Sequence, residues 1–258
     1  MTGPLLACQG LSRRFGGLLA LDALSFQLPE DSVLGLIGPN GSGKTTFFNV
    51  LTGIYPPSAG ELFFAGQPLS GLSPQRVFRA GIARTFQRSR LCLPLSIFDN
   101  VALGELWRLE TALVANLLGR KRLRAQLAKA RESVRDLLHG FDPALARRLD
   151  EPAAAVPMID RRRIEICRAL ISSPRLLLLD EPSAGMTHDE TMRLMDDILA
   201  ARERLGRPGI IIIEHEMAVI ERITHRCLVL DYGKKLREGT FQEVARDPLV
   251  QQAYLGIT

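Results

Sequence analysis

Short aliphatic runs alternate with longer amphipathic stretches along much of the chain. Val33–Ile37, Arg175–Leu179 and Gly209–Ile213 have the length and the side chains of strands that are buried on both faces. The stretches 189–205 and 216–224 have helical patterns, and each follows one of these predicted strands. Strands that alternate with helices in this way predict an α/β fold with a mostly parallel sheet.

The first part of the chain has a different pattern, in which predicted strands follow one another without helices between them. Leu5–Leu11 and Leu24–Leu28 are predicted strands, and the turn-prone stretch Arg14–Gly17 lies between them. We therefore expect an antiparallel β part near the N-terminus. The remaining predicted elements are strands at Glu61–Ala65, Ile82–Phe86 and Arg226–Leu230, a helix at Lys44–Leu51 and a helical stretch at Thr240–Tyr254, with a break at Asp247-Pro248.

The middle of the chain, from about Leu95 to Leu170, has almost no strand signal and is rich in leucine, alanine and arginine, as helices are. We expect this stretch to be a helical subdomain inserted into the α/β core. The expected organisation is a single domain over residues 1–258. Within it, residues 1–94 and 171–258 form the core, and residues 95–170 form the insertion.

Composition excludes several classes of protein. Hydrophobic residues make up 46% of the 258 residues and charged ones 24%, which is unlike a disordered or a collagen-like chain. The longest apolar runs are far shorter than the ~20 residues of a membrane-spanning helix. The four cysteines are scattered without a CxxC pair, so neither a disulfide framework nor a zinc site is expected. With no signal-peptide pattern in residues 1–10, these features favour the reducing cytoplasm.

The net charge of +5 first raises the question of nucleic acid or anionic lipid as a partner. Ten basic and five acidic residues lie between Glu105 and Arg148, so the whole excess falls within the expected helical insertion. This location suits docking near cytoplasmic loops of membrane proteins or anionic headgroups, and a solvated helix face explains it as well. Nucleic acid is therefore not an expected partner.

A phosphate-binding loop follows the predicted strand Val33–Ile37 and precedes the predicted helix Lys44–Leu51. Its sequence, GPNGSGKT over residues 38–45, fits the pattern GxxxxGK[ST]. Glycines let successive backbone N–H groups point at phosphate oxygens, and the start of the helix adds attraction for anions. We expect Lys44 to reach the β- and γ-phosphates and Thr45 to ligate Mg²⁺.

An acidic pair at the end of another predicted strand completes this pattern. Asp180 and Glu181 follow the apolar run Leu176–Leu179. In a phosphate-loop enzyme Asp180 would hold Mg²⁺ through water, and Glu181 would polarise the attacking water. Taken alone, such a pair also ends strands or caps helices. The upstream phosphate loop favours the catalytic interpretation.

Several motifs in this order resemble the ATPases of ABC transporters. They are GPNGSGKTT at 38–46, Gln87 in RTFQ at 84–87, LLLLDEPSAGM at 176–186 and IEH at 213–215. The resemblance extends from Leu5 to the AYLG stretch at 253–256. It is strongest to the ATPase subunits of branched-chain amino-acid importers. The urea and short-chain amide importers are close behind, and Gly185-Met186-Thr187 leans slightly towards them.

The resemblance implies a fold, a set of ligands and a role for individual residues. The fold is a P-loop ATPase with a RecA-like core, an N-terminal antiparallel part and the helical insertion, and the ligands are ATP and Mg²⁺. Phe15 corresponds to the aromatic residue that stacks on adenine, although an ordinary core phenylalanine is the alternative. The implied nucleotide-binding residues are Phe15, Gly38, Pro39, Asn40, Gly41, Ser42, Gly43, Lys44, Thr45 and Thr46. The implied catalytic residues are Glu181, His215 and Gln87, and the implied Mg²⁺ ligands are Thr45, Gln87 and Asp180.

One segment departs from the family that the chain resembles. There, a second ATPase subunit contributes a signature, LSGGQ or a near variant, that closes over the γ-phosphate. The corresponding residues here are Val156, Pro157, Met158, Ile159 and Asp160. Without the serine hydroxyl and the glycine N–H groups, and with bulk and negative charge added, we expect a poor clamp. The alternative is that Asp160 is a helix N-cap within an unusual but working signature.

The resemblance also implies partners. Two ATPase subunits would drive two transmembrane permease subunits from the cytoplasmic face of the membrane, and a periplasmic or extracellular solute-binding protein would act indirectly. Because each nucleotide faces the partner's signature, a partner of different sequence would leave one competent and one impaired site. Two alternatives stay open at this point, a soluble ABC ATPase that acts on nucleic acid or ribosomes, and a subunit that binds nucleotide without hydrolysis. The first generally has two ATPase domains or a long coiled coil, and Glu181 argues against the second.

Overall fold

The computed structural model describes residues 3–108 and 120–255. The chain divides into two compact units. The first unit comprises Met1–Arg84, Arg175–Pro182 and Arg207–Thr258, and the second unit comprises Thr85–Pro174 and Ser183–Gly206. In the part of the chain that the structure describes, none of the helices combines the length and the hydropathy that a membrane span requires.

The predicted α/β fold class is confirmed. The strands are β1 (Leu6–Phe15), β2 (Leu18–Leu28), β3 (Val33–Ile37), β4 (Ala59–Phe64), β5 (Gln67–Pro68), β6 (Ile82–Arg84), β7 (Leu176–Asp180), β8 (Gly209–Ile213), β9 (Arg226–Asp231) and β10 (Lys234–Gly239). The α-helices of the described residues are α1 (Lys44–Leu51), α2 (Pro74–Arg79), α3 (Ile97–Ala102), α4 (Arg120–His139), α5 (Met158–Leu170), α6 (His188–Arg204), α7 (Met217–Ile223), α8 (Phe241–Ala245) and α9 (Pro248–Leu255).

The first unit contains two sheets. The smaller is antiparallel in the order β2-β1-β4-β5, as expected for the N-terminal part. The larger has the order β10-β9-β3-β8-β7-β6, and all its neighbours are parallel except β10, which runs antiparallel to β9. One hydrophobic core joins residues of both sheets with α1 and α2. The three central strands β3, β7 and β8 are buried at every position, as their continuous aliphatic runs predict.

The second unit is helical apart from one isolated strand-like pairing, Ser96 with Pro152, in the residues described. Helix α3 packs against α4 and α5, and its N-cap is Ser96, whose hydroxyl accepts from the N–H of Asp99. Three short 3₁₀ segments complete this unit, at Leu103–Arg108, Leu145–Arg147 and Ala153–Ala155. Part of the basic stretch noted in the sequence, residues 109–119, lies outside the described residues.

A substitution at Leu178, in the middle of β7, tests how much the buried sheet contributes to the free energy of unfolding. The Leu178 side chain is 0% exposed within the core. Leu178→Ala should lower the free energy of unfolding by about 2–5 kcal/mol, because it removes buried methyl groups and leaves a cavity. Urea unfolding followed by circular dichroism measures this change. Leu249→Ala is the control, since Leu249 is 59% exposed. An equal loss in both variants would contradict the packing argument.

Candidate nucleotide-binding site

The phosphate loop spans residues 38–43, between the end of β3 and the start of α1, where the sequence predicts it. Two of its glycines have backbone shapes that other residues rarely adopt. Gly38 has a φ of 145° and Gly43 a φ of 106°. A Cβ atom would lie 2.1 Å from the carbonyl oxygen of Leu230 at Gly38, and 2.6 Å from that of Ala20 at Gly43. The loop is therefore packed too closely against its neighbours for any side chain at these positions.

Two segments from the C-terminal part of the first unit hold this loop in place. In the turn between β9 and β10, the N–H of Gly233 donates to the carbonyl of Ser42 at 2.9 Å. From α9, the hydroxyl of Tyr254 accepts from the N–H of Gly38 at 2.8 Å. Neither contact is predictable from the loop motif, because both partners are almost two hundred residues or more away along the chain.

Lys44, the first residue of α1, is only 7% exposed. Its ammonium group folds back onto the loop, and Nζ donates to the carbonyl oxygens of Gly38 at 2.6 Å and Pro39 at 2.9 Å. Burial lowers the pKa of Lys44, and the nearby carboxylates of Glu181 and Asp180 oppose this effect. A desolvated cation that is held by two neutral carbonyls is well placed to bind an anionic phosphate.

Ser42 supplies a test of whether the loop fits a phosphate. Its hydroxyl oxygen is buried, and it has no hydrogen-bond partner among the residues that the structure describes. Buried polar atoms normally have partners, so this hydroxyl indicates a ligand with hydrogen-bonding groups. The loop therefore fits a nucleotide phosphate.

Asp180, Glu181 and His215 lie at the ends of strands, as the sequence predicts, and the structure shows that these strands, β7 and β8, are neighbours. Strands β7 and β8 pair Asp180 with Ile213, and Glu181 follows with a φ of 47°, its N–H donating to the carbonyl of Ile213. His215 Nε2 donates to Glu181 Oε1 at 2.8 Å. Glu181 and His215, two of the three implied catalytic residues, are thus in direct contact.

Asp180 is buried and forms an ion pair that sequence reasoning missed. Its Oδ2 accepts from Nη2 of Arg84 at 2.7 Å, and both side chains are 6% exposed. Thr45 and Asp180 offer oxygen atoms, the ligand type that Mg²⁺ prefers. This donor set fits an ion that is bound jointly by a few protein oxygens and the phosphates of a nucleotide.

A cavity of about 360 Å³ lies over the phosphate loop. It is lined by the loop and the start of α1, by Phe15 and Glu181, and by Tyr232 from the β9–β10 turn. Phe15 is 37% exposed, which excludes the alternative of an ordinary core phenylalanine. Its ring packs edge-on against Tyr55, and the Arg13 guanidinium lies 4.5 Å from its centroid. Tyr232, 80% exposed, was missed because an aromatic residue in a turn has no recognisable pattern.

Comparison with known proteins shows which family the chain belongs to. The model of the ABC transporter family matches residues 21–184. The chain belongs to the ABC transporter family. Proteins of this family bind and hydrolyse ATP with Mg²⁺, so ATP is the substrate of this ABC ATPase and Mg²⁺ is its cofactor.

Curated relatives match the ABC ATPase over nearly its whole length. It is 38% identical over 256 residues to the high-affinity branched-chain amino acid transport ATP-binding protein LivG of Salmonella typhimurium, with 99% of each chain covered. It is 36% identical to LivG of Escherichia coli K12, also with 99% of each chain covered. It is 34% identical over 259 residues to BraF of Pseudomonas aeruginosa, which carries the same description, with the same coverage.

Solved structures show the same fold. The ABC ATPase superposes with a TM-score of 0.82 on the ADP conformation of an ATP-binding cassette of an ABC transporter, at 25% identity, covering 99% of this chain and 100% of that one. It also matches a nucleotide-free cassette with a TM-score of 0.81 and 24% identity, covering 97% of this chain and 98% of that one.

Gln87 of the ABC ATPase lies in the second unit. There its backbone carbonyl accepts from Nη2 of Arg162 at 2.8 Å, and the carbonyl of Phe86 accepts from Nη1. Arg162 is buried and paired with Glu165 at 2.9 Å. The loop that carries Gln87 is therefore attached to α5, the helix whose first turn contains the last three residues of the altered signature.

The altered signature overlaps the start of α5. The N-cap of this helix is Pro157, and Asp160 lies in its first turn. The alternative that Asp160 is the N-cap is therefore wrong, because the helix already begins at Met158. Asp160 instead accepts a hydrogen bond from Arg163 at 3.0 Å, and Arg163 also pairs with Asp142 and Asp197. Its carboxylate supports the helix through an ion pair one turn away.

Thr187, six residues after Glu181, has a structural role. It is the N-cap of α6, and its hydroxyl accepts from the N–H of Glu190, whose carboxylate accepts in turn from the N–H of Thr187. This reciprocal pair is a capping box, the arrangement typical of a threonine N-cap that is followed three residues later by glutamate.

Ser42→Ala should weaken ATP binding by about 10- to 100-fold, because a hydrogen bond to a charged group contributes about 1.5–3 kcal/mol. The stability of the nucleotide-free protein should stay the same or rise, since the hydroxyl has no partner in the described residues. Calorimetric titration with ATP and urea unfolding measure the two effects. Ser32→Ala is the control, because the Ser32 hydroxyl is exposed and contacts only a nearby carbonyl. Wild-type ATP affinity in Ser42→Ala would contradict the assignment.

Proposed function

We propose that this ABC ATPase powers the uptake of branched-chain amino acids. The observation that carries the proposal is the match to LivG of Salmonella typhimurium over 99% of both chains. The proteins it matches are named as high-affinity branched-chain amino acid transport ATP-binding proteins. A urea or short-chain amide importer is the second candidate, and its only specific support is the stretch Gly185-Met186-Thr187.

The proposed chemistry follows from the contacts in the first unit. Lys44 and the N–H groups of residues 38–46 bind the phosphates of ATP, and Phe15 stacks on adenine. Glu181 accepts the proton of the attacking water, and the hydrogen bond to His215 at 2.8 Å fixes the carboxylate for this task. The proposed Mg²⁺ ligands of this unit are Thr45 and Asp180, and Gln87 stays a prediction that rests on the resemblance alone. When bound, Mg²⁺ neutralises part of the charge on the phosphates.

We assign the chain as a single ABC ATPase domain with a RecA-like core at residues 1–94 and 171–258 and a helical subdomain at residues 95–170. The assignment is supported by both sheets and the phosphate loop belonging to the first unit. It is also supported by the helices α3, α4 and α5 belonging to the second unit. The second unit also contains α6, which the assignment places in the core.

The proposed assembly contains a second ABC ATPase subunit of different sequence and two transmembrane permease subunits, at the cytoplasmic face of the membrane. A periplasmic or extracellular solute-binding protein delivers the solute. The relatives' description as transport ATP-binding proteins supports permease partners. The different second subunit is supported by the altered signature, because two copies of this chain would make two poor clamps.

A transport assay tests the proposed solute. In a strain that lacks this gene, wild-type protein should restore uptake of radiolabelled leucine. Glu181→Gln should not restore it, because loss of a general base costs about 10²–10⁴-fold in rate. The purified variant should still bind ATP. The control is Glu61→Gln, an exposed glutamate on β4, which should restore uptake fully. Restored uptake of urea in place of leucine would establish the second candidate.

ATPase measurements test whether the altered signature is a poor clamp, on which the proposal of one competent and one impaired site depends. The chain alone should hydrolyse ATP slowly, and the triple substitution Pro157→Ser, Met158→Gly and Ile159→Gly should raise the rate at least about tenfold by restoring phosphate donors. In a Glu181→Gln background the same triple substitution should give no increase, which shows that the gain depends on the base of this chain. Brisk turnover by the unaltered chain alone would contradict the idea of a poor clamp.

A further inference from the structure

Arg84 lies at the end of β6, the strand that pairs with β7. In the parallel register, Arg84 is opposite Leu178, two residues before Asp180. The guanidinium reaches along the neighbouring strand to Oδ2 of Asp180 at 2.7 Å, and both side chains are 6% exposed. This ion pair is therefore shielded from solvent, where its geometry has more effect than on the surface.

The other arm of the guanidinium contacts α1. Its Nη1 donates to Oδ1 of Asn49 at 2.7 Å and lies 3.5 Å from Oγ1 of Thr52. The guanidinium carbon is 5.2 Å from the ring centroid of Phe48, also on α1. Helix α1 begins with Lys44 and continues with Thr45, directly after the phosphate loop. Arg84 therefore connects this helix to the carboxylate of Asp180 on β7.

We propose that Arg84 is a positioning residue that holds the Asp180 carboxylate in a fixed relation to α1 and thereby sets the affinity of the nucleotide site for Mg²⁺. This inference rests on the proposed role of Asp180 as a metal ligand. Arg84 does not contact ATP or the metal in this scheme. It acts through Asp180, in the way that residues behind a metal ligand orient that ligand and tune its affinity.

The chemistry of the guanidinium explains why an arginine stands here. Its rigid planar fork can bind two acceptors in fixed directions at once, the carboxylate on one side and the amide of Asn49 on the other. A lysine keeps the charge but has a single, flexible ammonium group. Arg84→Lys therefore separates the effect of geometry from that of charge.

The test compares the affinity for a fluorescent, non-hydrolysable ATP analogue in EDTA and in saturating Mg²⁺. The ratio of the two dissociation constants measures how much Mg²⁺ strengthens binding. Arg84→Lys and Arg84→Met should each reduce this ratio about 10- to 100-fold, as substitutions behind a metal ligand typically do. The affinity in EDTA should stay close to the wild-type value. An unchanged ratio in both variants would overturn the proposal.

A substitution on the far side of the guanidinium keeps the test valid if the Arg84 variants fail to fold. Asn49→Ala removes one acceptor of Arg84 and leaves the ion pair with Asp180 in place. It should reduce the same ratio by about 3- to 10-fold, as expected for the loss of one hydrogen bond and less than the effect of losing the whole guanidinium. A wild-type ratio in a folded Asn49→Ala protein would contradict the proposed connection to α1.

The matched control is Arg175→Lys. Arg175 immediately precedes β7, pairs with Glu30 at 2.6 Å and lies over the ring of Phe64. Like Arg84, it therefore contacts a carboxylate and an aromatic ring, and the substitution tested is the same. Arg175 is 53% exposed and does not contact Asp180 in the described structure. The Mg²⁺ ratio should be unchanged in this variant. A reduction equal to that of Arg84→Lys would show a general effect on the strand and overturn the inference.

Asp180→Asn separates the hypothesis that Asp180 is a metal ligand from the hypothesis that Arg84 positions it. If Asp180 is a metal ligand, this substitution reduces the ratio, and adding Arg84→Lys produces no further loss. A wild-type ratio in Asp180→Asn would refute the proposed metal role itself. A reduced ratio in Asp180→Asn together with a wild-type ratio in Arg84→Lys would refute only the role of Arg84. A further loss in the double variant would show that Arg84 acts by another route.

Discussion

The register of three parallel strands is the constraint on which the site depends. Ile212 of β8 is paired with Gly35 of β3 on one side and with Leu179 of β7 on the other. Within a few residues after these three positions, β3 leads to the phosphate loop, β7 to the acidic pair and β8 to His215. A slip of one residue in any of these strands would turn its side chains to the opposite face of the sheet. The continuous burial of the strands therefore maintains the geometry of the catalytic groups as well as the stability of the fold.

Arginines organise the polar contacts in both units. Arg84 binds two different elements in the first unit, and in the second unit Arg162 joins Glu165 to the backbone at Gln87. Arg163 pairs with three aspartates that come from different segments. A guanidinium suits these positions because it has several donors in a fixed plane and stays charged when it is partly buried.

The agreement between sequence and structure is closest where the local pattern is strong. Val33–Ile37, Lys44–Leu51 and Gly209–Ile213 have the predicted boundaries, because a continuous aliphatic strand or a helix after a phosphate loop has few alternatives. Strand β10 was not predicted. It lies at the edge of the sheet and is largely exposed and polar, so it has no hydrophobic pattern to detect. The alternative that Asp160 is the N-cap of α5 is wrong for a similar reason, since local residues alone allow several starting points.

The sequence alone determined the fold class, the family and the order of the motifs, because each of these depends on residues that are close together in the chain. The tertiary structure decided which groups surround those motifs. Arg84 meets Asp180 across 96 positions, and Tyr254 meets Gly38 across 216. Tyr232 reaches the nucleotide cavity from a turn that belongs to the far end of the chain. Contacts of this kind follow from strand order and packing, so the residues next to each partner in the sequence do not predict them.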